Sequence, residues 1–113
     1  MALAIQSAVE EDAAILTLSG ELDASAAPAL RDQIEALAGR SDISRLVLVL
    51  DDLSYMASAG LRALVFAKQK LGAGVELFLV GTQDSVAETI ELTGFHHSVT
   101  MLATYEAGAQ PSE

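Results

Sequence analysis

The sequence predicts an α/β domain built on one mixed, mainly parallel sheet of four to five strands with helices packed on it. Three observations carry this. Leu46–Leu50 (LVLVL) and Val75–Val80 (VELFLV) are apolar almost throughout, which suits strands covered on both faces. Segments of helical apolar spacing alternate with such strands, and right-handed crossovers then require parallel pairing. The first twenty residues read as a hairpin, which adds an antiparallel edge. The resulting order is β-β-α-β-α-β-α-β.

Ala2–Val9 alternates weakly and Ala13–Ser19 (AAILTLS) more clearly, with Glu10, Glu11 and Asp12 as the polar turn between them. Gly20 is expected to break the second strand. Glu21, Leu22 and Asp23 lead to Ser25, the expected N-cap of a first helix, with Pro28 in its first turn. Leu30, Ile34 and Leu37 keep helical spacing until Gly39. Ser41–Arg45 links this helix to the LVLVL strand, and Asp51–Ala57 reads as a loop. A second helix runs from Ser58 to Gly72 through Leu61, Leu64, Val65 and Leu71. Gly74 opens the next link, and Gly81 ends the strand that follows. Asp84 or Ser85 caps a third helix carrying Val86, Ile90 and Leu92, closed by Gly94, and Ser98–Leu102 forms a last short strand. With 113 residues and no repeat or linker, one domain over 1–113 is expected, with a core of about 3–103 and a flexible tail over 107–113.

A hydrophobic fraction of 51% supports a folded globule, while aromatics at 4% and the absence of tryptophan leave its core to Leu, Val, Ile and Ala. There is no cysteine, so disulfides, thiolate nucleophiles and cysteine metal sites are excluded together, in keeping with a reducing cytoplasm. Six basic and sixteen acidic side chains give a formal charge of −10. Nucleic-acid phosphates and anionic lipids repel such a domain, and a basic protein surface suits it better. The N-terminus MALAIQSAVEED lacks the basic start of a secretory signal, and Arg62 and Lys68 interrupt the richest apolar stretch. A cytoplasmic location is expected, with no membrane partner.

Ser58, in LSYMASAGLRALVF, is the residue on which the function turns. At a helix start its hydroxyl is either a plain cap, bonding the N–H groups near Gly60 and Leu61, or a surface group presented to a partner. The two roles are compatible. A phosphate there would meet free N–H groups at the positive end of the helix dipole, and the same charge would be costly in a tight apolar or acidic interface. A hydrolase would need His96 or His97 as base, but no GxSxG elbow is present, and adjacent histidines in a short loop read as polar turn residues. The histidines have no further ligands at metal-binding spacing. Glu21 and Asp23 read as solvated loop carboxylates or helix caps. No GxxxxGKS loop exists, and no cofactor is expected.

At this point the blocks LTLSGELDAS, LVLVLDDLSYMASAGLRALVFAKQK and ELFLVGTQDSVAETIELTGF resemble those of bacterial anti-sigma factor antagonists, which are single STAS domains. The resemblance runs from about Ile5 to Leu102, and its most specific part is L-S-Y-M-x-S-x-G-L together with G-E-L-D. It implies that the position of Ser58 is phosphorylated by the anti-sigma factor, a serine kinase of the histidine-kinase-like ATPase type. The unphosphorylated domain would bind that factor and free a sigma factor for transcription. Phosphorylation would break the complex, and a PP2C-type phosphatase would restore it. The chain itself would not be an enzyme.

The chain departs from the family's pattern on both sides of the serine, where Ala57 replaces the usual Asp and Ala59 the usual Ser or Thr. Ser58 is therefore the only hydroxyl in M-A-S-A-G-L. The resemblance and the convergence of strand-to-helix loops at one end of such a sheet place Asp23, Ser25, Met56, Ala57, Ala59, Gly60, Leu61 and Arg62 around Ser58 as the partner-binding surface. The alternative is a STAS subunit acting without phosphorylation as an interaction module of a transporter or larger regulatory assembly.

Overall fold

The computed structural model describes residues 3–72 and 74–104. Five strands and three helices follow the predicted order: β1 Ala4–Glu10, β2 Ala13–Leu22, α1 Ala27–Ala38, β3 Arg45–Met56, α2 Ser58–Leu71, β4 Glu76–Val80, α3 Asp84–Leu92 and β5 Thr100–Leu102. A short 3-10 turn over Phe95–His97 joins α3 to β5. The strands lie side by side in chain order. β1 pairs with β2 antiparallel and every later pair is parallel.

That order fixes where the helices go. Each crossover from β2 to β5 steps the same way across the sheet, and right-handed crossovers that never reverse must place their helices on one face. The core agrees. Leu16, Leu18, Leu46, Leu48, Leu50, Leu77 and Leu79 from the strands pack with Leu30 and Ile34 of α1, Leu61 and Leu64 of α2, and Val86 and Ile90 of α3. Side chains of opposite parity, Ala13, Val47, Phe78 and Val80, form a separate cluster on the other face. This double-sided burial is why β3 and β4 read as continuous apolar runs. Burying each large aliphatic side chain contributes about 1.5–3 kcal/mol. α1 and α2 also meet at the surface, where the Arg31 guanidinium lies 4.4 Å from the Phe66 ring centroid.

The elements depart from the sequence reading in four places. Gly20 does not end β2: at φ 102° it lies within the strand, which runs on to Leu22 through shifts in register against β3. Asp51–Met56 is not loop but the second half of β3, held to the lengthened β2 by pairs such as Gly20–Leu53 and Leu22–Met56. Ser25 is not the N-cap of α1. Ala26 is, and the Ser25 hydroxyl instead donates to Asp23 Oδ1 at 2.9 Å. Neither Asp84 nor Ser85 caps α3, whose N-cap is Gln83. The expected tail, 107–113, lies outside the described residues.

Leu48 is fully buried between β2, β4 and the helices. Leu48→Ala is expected to lower stability by about 3 kcal/mol in urea unfolding. A loss below about 1 kcal/mol would contradict this account of the core.

Candidate functional site: the mouth of helix α2

The site is built where the two longest strands end together. The Ala57 N–H donates to the Leu22 carbonyl at 2.9 Å, tying the end of β3 to the end of β2. Ala57 then takes an extended conformation (φ −81°, ψ 170°) as the N-cap, and its own carbonyl accepts from Leu61 N–H at 3.0 Å to open α2. Gly60 allows this junction to close. A Cβ at that position would lie 2.7 Å from Leu22 Cγ and 2.9 Å from the Leu22 carbonyl oxygen.

Ser58 is the first residue of α2, not its cap, and it is exposed. No side chain caps this helix, and no acidic residue occupies its first turn. The hydroxyl therefore stands at the positive end of the helix beside backbone donors that have no partner within the helix. Ala57 and Ala59, both half-buried, flank it with methyl groups only. Arg62 is exposed one turn further on, at the i+4 spacing that makes helical side chains neighbours.

Asp23 follows Leu22 directly and so shares this end of the sheet. Its Oδ1 accepts from the Ser25 hydroxyl at 2.9 Å and from the Ala26 N–H at 3.0 Å. The Ser25 bond first, and the Ala26 bond second, hold the Asp23 carboxyl below its ordinary value. The sequence-predicted residues thus divide into two layers. Asp23, Ser25, Ala57, Ser58, Ala59 and Arg62 reach the surface, whereas Met56, Gly60 and Leu61 are buried beneath it and support the junction. Sequence reasoning passed over Tyr55. It is 49% exposed at the end of β3, opposite Glu21 in the register with β2. An aromatic beside Met56 was the available signal, obscured by reading 51–57 as loop.

His96 and His97 stack on each other, ring centroids 3.9 Å apart, in the turn that enters β5. That turn lies at the N-terminal end of the parallel strands, while Ser58 follows the C-terminal end of β3. The sheet separates these histidines from Ser58, so they do not supply its base. Among the described residues, no group of three or more His, Asp or Glu is placed to hold a metal ion. No helix among them is long and apolar enough to cross a membrane.

Fold and site together define a class: a small α/β domain presenting an exposed serine at a helix start, at the C-terminal edge of a mixed sheet. The chain belongs to the STAS domain family, which it matches over residues 4–108. Solved structures agree. An anti-sigma factor antagonist from Mycobacterium paratuberculosis is 26% identical, with a TM-score of 0.83 over 91% of this chain and 87% of that one. The Bacillus cell fate determinant SpoIIAA, in its phosphorylated form, is 22% identical with a TM-score of 0.72, over 89% of this chain and 92% of that one. A STAS domain protein from Planctomyces limnophilus shares the fold at 11% identity, with a TM-score of 0.77 over 92% and 90%.

The lowered Asp23 carboxyl has a measurable sign. Its contribution to the turn entering α1 is present above the ordinary Asp value and is lost as pH falls through the lowered one. The Ala26 amide resonance should therefore titrate with a midpoint below about 3.9. A midpoint at or above that value would contradict the bonding of Asp23 described here.

Proposed function

We propose that this chain is an anti-sigma factor antagonist: it binds an anti-sigma factor through the mouth of α2, and phosphorylation of Ser58 switches that contact off. The observation that carries the reading is the Ser58 hydroxyl, exposed at the first position of α2 and not used as a cap. A phosphoryl group there would carry about two negative charges against free backbone N–H groups. Arg62 stands at the i+4 position to pair with it. Because Ala57 stands where the family usually carries Asp, no carboxylate in the turn itself opposes the modification. The free phosphorylated domain is thus favourable. Held in a tight apolar or acidic contact with a partner, the same dianion would be costly.

Asp23, Ser25, Ala57, Ala59 and Arg62 form the proposed contact surface around Ser58. The kinase is the anti-sigma factor itself, of the histidine-kinase-like ATPase type, and a PP2C-type phosphatase resets the switch. In this reading the catalysis resides in the partners, the exchange takes place in the cytoplasm, and the released sigma factor acts on transcription. The chain's net charge of −10 suits a basic partner surface and repels nucleic acid.

Ala57 and Ala59 favour one second reading, a STAS subunit that binds its partner without being phosphorylated, in a transporter or larger regulatory assembly. Under the first reading, Ser58→Asp should weaken binding to the anti-sigma factor by at least about 2 kcal/mol in isothermal titration calorimetry while leaving the melting temperature nearly unchanged. An affinity equal to wild type would refute the switch.

A further inference from the structure

We propose that β1 is the self-association surface of this protein, through which two copies join their sheets edge to edge. β1 forms one edge of the sheet, and among the described residues nothing pairs with its outer side. Every residue in it except Ile5 is exposed.

The two-residue turn Glu11–Asp12 closes the pair Glu10–Ala13. Such a hairpin closes on a hydrogen-bonded pair, and bonding alternates from there. Ala8, Gln6 and Ala4 therefore direct their backbone groups to β2, while the N–H and C=O groups of Ile5, Ser7 and Val9 point outward. Edge strands are commonly protected by lysine, proline, a bulge or short length. β1 has none of these from Ala4 to Val9: the segment AIQSAV carries no charge and no proline, and its register with β2 is unbroken. The opposite edge, β5, is only three residues long.

The outward groups are self-complementary. An antiparallel pairing about a two-fold axis at Ser7 sets Ser7 against Ser7 and Ile5 against Val9, and each pair exchanges both N–H···O bonds. Ile5, Ser7 and Val9 stand opposite Leu18, Leu16 and Ala14, so their side chains lie on the helix-covered face. Val9, 42% exposed, gains Ile5 of the second copy as a neighbour. A groove of about 340 Å³ alongside it, lined by Ser7, Val9, Ala36 and Leu37 among others, receives the flank of that copy. Glu10 falls opposite Ala4, so the two Glu10 carboxylates are kept apart. Registers centred on Ile5 or Val9 use fewer of the outward groups. The two-fold axis also sends the parallel strands of the two copies in opposite directions, leaving both Ser58 sites open at the outer ends.

An interface of this kind lies at the small end of specific contacts, below about 1,200 Å² in total, so association depends on concentration. Each copy carries −10, so the dimer fraction should rise with added salt, as screening within about 8 Å at physiological ionic strength relieves the repulsion. Ser7→Cys gives a direct test, since the chain has no other cysteine. Hydrogen-bonded antiparallel partners lie about 5.5 Å apart at Cα, within the disulfide range of about 4.4–6.8 Å.

Under mild oxidation Ser7→Cys should form a linked dimer about tenfold or more faster than Leu92→Cys, a control on an exposed residue of α3. Ser7→Pro removes an outward N–H without touching the hairpin ladder, and should abolish wild-type dimers in sedimentation velocity while keeping the melting transition. Val9→Lys serves the same purpose if the proline variant does not fold. The proposal is overturned if Ser7→Cys links no faster than the control. It is equally overturned if wild type stays monomeric at submillimolar concentration and high salt, or if a folded edge variant dimerises like wild type.

Discussion

Everything at the candidate site depends on how closely the end of β2 approaches the start of α2. The Leu22 carbonyl accepts the Ala57 N–H at 2.9 Å and also lies 2.9 Å from where a Cβ on residue 60 would stand. Only glycine lets the first turn of α2 settle against that carbonyl without moving the strand. With the contact made, Met56 and Leu61 are sealed into the core and Ser58 is left on top of it. The partly exposed Asp23 is carried to the same end because it is the next residue after Leu22. The geometry of the surface is thus imposed from underneath by packing, and the surface residues need make few bonds among themselves.

The electrostatics of the mouth follow from its alanines. A carboxylate at the cap would satisfy the first-turn N–H groups and stabilise the helix, typically by about 1 kcal/mol. It would also oppose an incoming phosphate. With alanine at the cap, α2 lacks that stabilisation and relies on burial of Leu61, Ala63, Leu64 and Ala67 to hold its first turns. The positive end of its dipole stays available to an anion. The chain is acidic as a whole, yet the first turn of α2 carries no negative side chain.

Much of the architecture could be read from the amino acids because the relevant signals are local. LVLVL and ELFLV announce covered strands, and Leu30, Ile34, Leu61 and Leu64 announce helix faces. The crossover rule then turns the order of elements into a topology. The strand misreadings share one cause, which is that tertiary contacts outvoted local chemistry. Gly20 looked like a terminator, but a glycine at positive φ also permits the register shifts by which β2 continues alongside β3. Asp51, Asp52 and Ser54 looked like loop because their polarity hides strand pairing that β2 supplies from outside the segment. Ser25 looked like a cap, as did Ser58 on one of its two readings, yet Ala26 and Ala57 occupy those positions, and no side-chain signal distinguishes the cap from its neighbour. The placement of His96 and His97 away from Ser58 is a property of the assembled sheet, which residue spacing does not encode.

The proposed switch requires Ser58 to be a phosphoacceptor for a protein the domain binds. Incubation with an anti-sigma kinase from the same genome and Mg-ATP, followed by intact mass and peptide mapping, tests it most directly. One phosphoryl group on Ser58, lost in Ser58→Ala, is the expected result. An unmodified domain, bound by a kinase that remains active on another substrate, would contradict it.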